Sequence, residues 1–301
     1  MSWRRYGVGV VVLVISVLLY QNWIYVRAIY SQPQLFRAPV FDTQAPQLPQ
    51  DLGDVAILSF SKTNGYRHLQ SIPASIQMLD ELGAENGWQF YHTENAAVFS
   101  LENLSRFQLI ILNHKSGTVW TDEQRLALKD YVESGGSLIA QHAAGGDQGY
   151  EWNWYFNQVL KAQFVDHPMT AHIQPADLLV EDQSHPATAH LPRVWQRSDE
   201  WYNFSASPRD KTNVLVSIDE STYDPEKSPM GEDHPLVWWH EVGQGQVLYS
   251  ALGHTPATYQ EPQFRQFMRG AIVWGLAEAD QVEEIEGCPL RIKNSGVAKC
   301  L

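Results

Sequence analysis

Histidines and carboxylates are concentrated in the second half of this 301-residue chain. They occur together in seven short stretches: Asp166-His167-Pro168, Ser184-His185-Pro186, Asp199-Glu200, Asp219-Glu220, Asp233-His234-Pro235, His240-Glu241 and Gly253-His254-Thr255. Neutral imidazoles beside carboxylates are the usual material of acid–base and metal sites. Proline also confines the preceding residue to extended geometry, which helps to aim an imidazole. The set predicts a site for proton transfer or metal binding, and the alternative is that these rings cap strand ends in loops.

Aromatic residues are interleaved with this set, and the stretch Asp199-Glu200-Trp201-Tyr202 carries both kinds of side chain. Tryptophan and tyrosine rings stack on the apolar faces of sugars, while carboxylates accept hydrogen bonds from sugar hydroxyls. The stretch therefore favours a small-molecule carbohydrate as the ligand, although many of these rings could instead belong to the core. Adjacent residues of a strand point to opposite faces, so Asp199 and Glu200 do not act together if the stretch is extended.

Metal binding has no sequence motif here, because the H-E-x-x-H spacing of zinc proteases is absent. A divalent-metal site assembled from distant loops stays open, and the cofactor is otherwise undetermined. The two cysteines, Cys288 and Cys300, lie near the carboxyl terminus, which excludes a cysteine-built zinc or iron–sulfur site in the body of the protein. They are candidates for a disulfide if the domain lies outside the cytoplasm, and otherwise they are free thiols.

The elements that must position these residues begin at Asp54, where short apolar runs alternate with amphipathic segments. Helices are predicted over 71–85 and from Thr121 to Val132, where Thr121 and Gln124 can form a capping box. Strands are predicted at 55–60, 88–92, 109–113, 137–141, 214–218, 236–242 and 246–252, and a closing helix at 264–276. Strands that alternate with helices indicate a parallel, doubly wound sheet, and the last two strands indicate a hairpin.

Ligands of open parallel sheets bind beyond the carboxyl ends of the strands. Three predicted strand ends lead into polar residues there, at 61–68, 113–115 and 141–147. We therefore expect one rim of the sheet to carry the site. The candidate catalytic residues are His68, His142, Asp199, Glu200 and His254. The candidate substrate-binding residues are Arg67, Asp147, Trp201, Tyr202, Glu220 and His234.

The amino-terminal residues 6–26 are largely apolar and match the roughly 20 residues that a membrane-spanning helix needs. No small-x-small cleavage site follows them, which favours a retained single-pass anchor at 1–30 over a cleaved signal peptide, the alternative. Positive charges lean towards the side before the span, so the soluble domain is expected outside the cytoplasm. Residues 31–53 are rich in proline and glutamine and indicate a linker. The domain follows at 54–278, with a tail at 279–301.

The net charge of −13 excludes a typical nucleic-acid partner, because such proteins need a basic face to displace counterions from phosphates. The membrane is expected as a partner only through the amino-terminal helix. The oligomeric state is not determined by the sequence.

Several motifs, in order along the chain, resemble the ThuA-like (trehalose-utilisation) domain family over about residues 54–278. They include SKTNGYRH at 61–68, ESGGSLIAQHAA at 133–144, SDEWYNF at 198–204 and EDHPLVWWHEVGQGQVLYSALGHT at 232–255. The resemblance implies a flavodoxin-like, class I glutamine amidotransferase-like doubly wound parallel sheet. It also implies an association with carbohydrate metabolism, notably that of disaccharides.

The relation to glutamine amidotransferases implies one negative expectation. Those enzymes carry a cysteine nucleophile on the sharp turn after a strand, and His142 occupies the comparable position here. An imidazole cannot replace a thiolate in forming a thioester, so glutaminase activity is predicted to be absent.

Three functions remain open from the sequence. The first is an enzyme that acts on a sugar or an oxidised sugar derivative by hydrolysis, elimination or isomerisation, with His142 as general base and His68, Asp199, Glu200 and His254 converging on the substrate. The second is an anchored carbohydrate-binding module without catalysis. The third is a metal-dependent hydrolase whose ligands are histidines and carboxylates from the loops.

Overall fold

The computed structural model describes residues 23–146 and 152–279, together with 16, 20, 282–283 and 292–293. Within these residues the α-helices are α1 Trp23–Ser31, α2 Ser71–Asn86, α3 Leu101–Leu104, α4 Asp122–Glu133 and α5 Pro262–Ala279. The strands are β1 Ala56–Phe60, β2 Gln89–Thr93, β3 Leu109–Asn113, β4 Ser137–Gln141, β5 Phe164–Asp166, β6 Gln174–Val180, β7 Val194–Asp199, β8 Asn203–Phe204, β9 Asn213–Ile218, β10 Pro235–Val242, β11 Gly245–Ser250, β12 Val282–Glu283 and β13 Ile292–Lys293.

Nine strands form one sheet in the order β2-β1-β3-β4-β11-β10-β9-β6-β7. The first five strands are parallel, and their order at β2-β1-β3-β4 is that of flavodoxin-like folds. β1, β3 and β4 are buried along their whole length, as strands covered by helices on both faces must be. The predicted parallel α/β sheet is therefore confirmed for this half of the molecule.

The other half of the sheet is antiparallel. The predicted hairpin of the last two strands is present, but the antiparallel pairing extends further than the predicted doubly wound parallel sheet allows. β10 pairs with β11 through a two-residue connection, and a connection this short can join only antiparallel strands. β9, β6 and β7 continue the antiparallel pairing. Buried and less buried residues largely alternate along β6 and β7, so these strands have one solvated face.

Local sequence signals set the helix ends. The Thr121 side chain accepts the backbone N–H of Gln124, and the Gln124 side chain accepts the backbone N–H of Thr121, so the predicted capping box is present at the start of α4. α2 ends at Gly87, whose φ of 76° is a left-handed conformation that glycine adopts without strain.

The amino-terminal region is described only in part. No helix in the described ranges has the length and apolar character of a membrane span. Most of the predicted span at 6–26 lies outside the described residues, as do Asp147, Cys288 and Cys300.

The segment predicted as a linker follows the surface of the domain. The Gln32 side chain exchanges hydrogen bonds with the backbone N–H and carbonyl of Arg67, each at 2.8 Å. Asp42 forms an ion pair with Lys62 at 2.6 Å, and its carbonyl accepts a hydrogen bond from Gln124 at 2.7 Å. These contacts tie the segment to the loop beyond β1 and to the first turn of α4, so it is not a free spacer.

Two buried histidines away from the strand ends make stability depend on pH. His185 and His240 are 6 % and 4 % exposed, and burial lowers the pKa of each to about 4. In the unfolded chain a histidine has a pKa of about 6.5, so between pH 6.5 and 4 the unfolded state binds protons that the folded state refuses. Stability is unaffected above pH 6.5 and is lost as the pH falls. We expect each residue to cost about 2–3 kcal/mol of unfolding free energy between pH 7 and 4.5.

Urea unfolding of the wild type and of His240→Gln at both pH values measures this effect. The variant should show a shallower pH dependence even if its stability at pH 7 is lower. His190→Gln is the control, because His190 is exposed. If His240→Gln lost as much unfolding free energy between pH 7 and 4.5 as the wild type, the prediction would be wrong.

Candidate active site

Four neighbouring parallel strands each deliver one histidine to the same rim of the sheet. His68, His114, His142 and His254 follow the carboxyl ends of β1, β3, β4 and β11. The ring centre of His68 lies 5.0 Å from that of His114, 4.8 Å from that of His142 and 4.9 Å from that of His254. The rim predicted from the strand ends is therefore present. His114 was missed as a site residue, and its position directly after β3 was the available signal.

His142 occupies the turn that follows β4. Its φ of 47° is in the left-handed region that non-glycine residues seldom adopt, as expected at a sharp strand-to-helix elbow. Nδ1 lies 2.6 Å from the carbonyl oxygen of Ala251, and Nε2 faces Glu200, His254 and Tyr202. The side chain has no exposed surface, so it can act on a substrate in solvent-accessible space only through these three neighbours.

Glu200 is the carboxylate at the centre of the cluster and is 2 % exposed. Its Oε2 lies 3.0 Å from Nδ1 of His254 and 3.3 Å from Nε2 of His142. Its Oε1 lies 3.3 Å from Nε2 of His167 and contacts Nε2 of His172. One carboxylate thus contacts two inner histidines, His142 and His254, and two outer histidines, His167 and His172.

The outer histidines were not among the predicted site residues. His167 belongs to an Asp-His-Pro motif, which was a usable signal, whereas no local pattern marks His172. Both lie in the segment between β5 and β6, far in sequence from Glu200. His172 is the more exposed of the two, with 44 % of its side chain accessible.

The surroundings lower the pKa values of two histidines of the cluster and also lower that of the central carboxylate. Burial, reinforced by the neighbouring histidines, lowers the pKa of His68 well below its usual value and also lowers that of His254. Burial opposes ionisation of Glu200, but hydrogen bonds from His142, His172 and His254 outweigh it and hold the pKa of Glu200 far below normal. The hydrogen bond to Glu200 raises the pKa of His172. The surroundings therefore favour the charged form of Glu200 and the neutral forms of His68 and His254.

A cavity of about 460 Å³ opens in front of Glu200. Its polar lining includes His68, His167, His172, Glu200, Tyr202 and His254. We call it the inner cavity. Its volume is in the range of small-molecule sites.

A second cavity adjoins the inner cavity and has a volume of about 700 Å³. The two cavities share Tyr66, His68 and His254, and α1 supplies Trp23 and Arg27 to the wall of the second. The amino-terminal segment therefore lies close to the entrance of the candidate site.

Asp199 points away from Glu200, as strand alternation predicts. It forms an ion pair with the buried Arg197 at 2.8 Å. It also accepts the backbone N–H groups of Gly253 and His254 at 2.8 and 3.0 Å. Asp199 thus holds the loop that carries His254 and does not line the inner cavity.

The structure brings only some of the predicted binding residues to the inner cavity. Tyr202 lines it, and its hydroxyl lies 3.1 Å from Nε2 of His142. Trp201 is 1 % exposed and donates its indole N–H to the carbonyl of Gln174, so this ring lies in the core and does not support stacking on a sugar.

The remaining predicted binding residues have structural partners. Arg67 forms a two-pronged ion pair with Glu94 and lines the second cavity only. Glu220 bonds Nδ1 of His234 at 2.8 Å, and Nε2 of His234 lies 2.7 Å from the carbonyl of Tyr202. The Glu220–His234 pair therefore supports the backbone of Tyr202 from behind.

Among the residues that the structure describes, two groups of side chains could hold a metal ion. The ligand atoms of His68, His142, Glu200 and His254 all lie within 4.8 Å of one another. The same holds for His167, His172 and Glu200. Both groups share the carboxylate of Glu200, and nitrogen with carboxylate oxygen is a donor set that suits transition metals.

The family model described as trehalose utilisation matches residues 56–275. The chain belongs to the ThuA family. This confirms the resemblance inferred from the motifs, and the parallel half of the sheet is consistent with a glutamine amidotransferase-like fold. No curated protein matches the chain.

Two solved structures of ThuA-like proteins share the fold. The protein from Bacteroides uniformis ATCC 8492 is 22% identical, with a TM-score of 0.65 over 77% of this chain and 95% of its own. The protein from Parabacteroides merdae ATCC 43184 is 19% identical, with a TM-score of 0.57 over 74% of this chain and 90% of its own. Identities this low establish the shared fold only.

Proposed function

We propose that this ThuA-family protein is an enzyme that acts on a carbohydrate, such as a disaccharide or an oxidised sugar derivative, by acid–base chemistry in the inner cavity. The observation that carries the proposal is the meeting of the buried Glu200 with His167, His172 and His254 at the cavity wall. A carboxylate that stays ionised beside several imidazoles stabilises whichever ring takes up a proton, which suits those rings to acid–base chemistry. The trehalose-utilisation family supplies the substrate class.

The residues at and behind the cavity wall would have different roles. Glu200, His172 and His254 have atoms at the wall and can exchange protons with a bound sugar. His142 lies beneath them and would act through Glu200 and His254. Tyr202 also lines the wall, and its hydroxyl lies 3.1 Å from Nε2 of His142.

Incubation with a panel of disaccharides and their keto derivatives, followed by product analysis, tests the proposal. Conversion by the wild type that falls sharply in His172→Asn is the expected result, because this variant alters the exposed end of the cluster. Asn103→Asp, on the distant helix α3, is a control for a single polar change. Binding of a sugar without any product over long incubation would instead indicate a carbohydrate-binding module.

Glutaminase activity is expected to be absent. The elbow position that holds a thiolate in amidotransferases carries His142, whose imidazole cannot form the thioester intermediate. Ammonia release from glutamine should equal the enzyme-free rate, with an authentic glutaminase as positive control. Steady release that disappears in His142→Ala would overturn this expectation.

We propose in addition that residues 6–26 anchor the chain in a membrane with the domain outside the cytoplasm. The support is the length and apolar character of the segment and the charges that flank it. Protease treatment of intact cells should degrade the domain, and treatment of sealed inverted vesicles should spare it. The reverse pattern would contradict the orientation.

A further inference from the structure

Three donor atoms of the inner cluster form a nearly equilateral triangle. Nε2 of His142 lies 3.2 Å from Nδ1 of His254 and 3.3 Å from Oε2 of Glu200, and the latter two atoms are 3.0 Å apart. A tetrahedral ion with metal–ligand bonds of about 2.0–2.1 Å separates its ligand atoms by about 3.3 Å. The triangle therefore has the size of one face of such a coordination shell.

With a neutral His142 ring, no placement of hydrogens makes a hydrogen bond of the contact between His142 and Glu200. Nδ1 of His142 faces the carbonyl oxygen of Ala251, which can only accept, so in the neutral ring the hydrogen is on Nδ1 and Nε2 carries a lone pair. The carboxylate of Glu200 also offers lone pairs, so the contact between these two atoms needs either a second proton on His142 or a cation. The hydrogen bond to Ala251 is also the backing that metal-ligating histidines usually have.

His68 supplies the fourth corner. It is 7 % exposed, and its Nδ1 is buried without a hydrogen-bond partner among the described residues. Its ligand atom lies within 4.8 Å of those of His142, His254 and Glu200. A second proton on His142 would leave this nitrogen unsatisfied, whereas a cation can be bound by both rings.

The fold holds the four side chains in place for one shared ligand. The four ligands come from the ends of β1, β4, β7 and β11, which belong to one rigid sheet. Asp199 also fixes the backbone of His254.

We propose that His68, His142, His254 and Glu200 bind one divalent transition-metal ion. Three imidazole nitrogens and one carboxylate oxygen suit Zn²⁺, Fe²⁺ or Co²⁺ and are a poor match for Mg²⁺ or Ca²⁺, which prefer oxygen. The site leaves Oε1 of Glu200, with His167 and His172, facing the inner cavity. The metal site adjoins the cavity of the proposed function and so deepens that proposal. It rests on the proposed function only because both use the same cavity.

Metal binding to the full-length chain, with any affinity tag removed, tests the inference without a sugar. After chelator treatment, the protein is titrated with Zn²⁺ by calorimetry and with Co²⁺ by visible absorption. One tightly bound equivalent, with the absorption bands of a nitrogen-ligated Co²⁺, is the expected result. Mg²⁺ and Ca²⁺ should not compete.

Ligand variants locate the ion. His68→Gln and His254→Gln should each weaken Zn²⁺ binding by at least about 100-fold, whereas His240→Gln, which alters a buried histidine outside the cluster, should not. Thermal unfolding checks that each variant is folded. A folded wild type that binds neither Zn²⁺ nor Co²⁺, or equal losses in all three variants, would overturn the proposal.

The two proposals fail in different ways. Metal binding without turnover of any sugar would remove the proposed function and leave the metal site. Turnover by protein that binds no metal and ignores chelators would remove the metal site and leave the proposed function.

Discussion

Glu200→Gln is expected to reduce carbohydrate turnover by about 10²–10⁴-fold, the range that a positioned acid–base group contributes. The carboxylate contacts His142, His167, His172 and His254, and it carries the negative charge of the cluster. Glutamine keeps the shape but removes this charge and replaces one acceptor oxygen by a donor NH₂. The rings would lose the group that links the inner pair to the outer pair.

Steady-state kinetics on the substrate found in the carbohydrate panel measures this effect. The loss should appear mainly in kcat, because the amide can still hydrogen-bond a sugar. Glu241→Gln is the matched control, since Glu241 is exposed on β10. A Glu200→Gln variant that is folded and fully active would exclude the proposed role of the cluster.

Arg197→Met is expected to lower the unfolding free energy by about 3–5 kcal/mol, the usual cost of removing one partner from a buried ion pair. Arg197 is 7 % exposed. Its guanidinium bonds Asp199 at 2.8 Å, Glu261 at 3.0 Å and the hydroxyl of Thr258 at 3.0 Å. The substitution would leave the charge of Asp199 buried without its cation. Because Asp199 holds the backbone of His254, the effect should extend to the inner cavity.

Denaturant unfolding at pH 7 measures the loss, with Arg209→Met as control. Arg209 also pairs with two carboxylates, Glu181 and Asp233, but 41 % of its side chain is exposed. Solvent screens such a pair, so the control should cost about 1 kcal/mol or less. If both variants lost similar amounts of unfolding free energy, burial of the Arg197 ion pair would not explain its contribution to stability.

Much of the parallel half of the fold could be predicted from local patterns. Strand β4 was predicted with the bounds that it has, and the capping box of α4 is present as read from Thr121 and Gln124. Apolar runs and caps act through residues a few positions apart, so they are visible in the sequence. Strands β6 and β7 of the antiparallel half were not predicted, because polar and apolar residues mix along them and no continuous apolar run marks them.

The candidate site was also predicted only in part, because local patterns reveal strand ends but not which distant side chains meet. His68, His142, Glu200 and His254 were selected and do meet. The three histidines follow parallel strands, whose carboxyl ends share one rim, whereas Glu200 follows β7 of the antiparallel half. Trp201 was selected from its neighbours and lies in the core, while His172 was not selected and contacts Glu200. Neighbours in sequence do not reveal which face of an extended segment is covered.

The sequence by itself determined the family, the alternation of strands and helices in the parallel half, and the position of His142 directly after a strand. These follow from residue types and short spacings. Only the tertiary structure decided that one carboxylate is shared by inner and outer histidines. Glu200 contacts histidines as many as 58 positions away (200 − 142), and such a meeting depends on strand order, which no local pattern encodes.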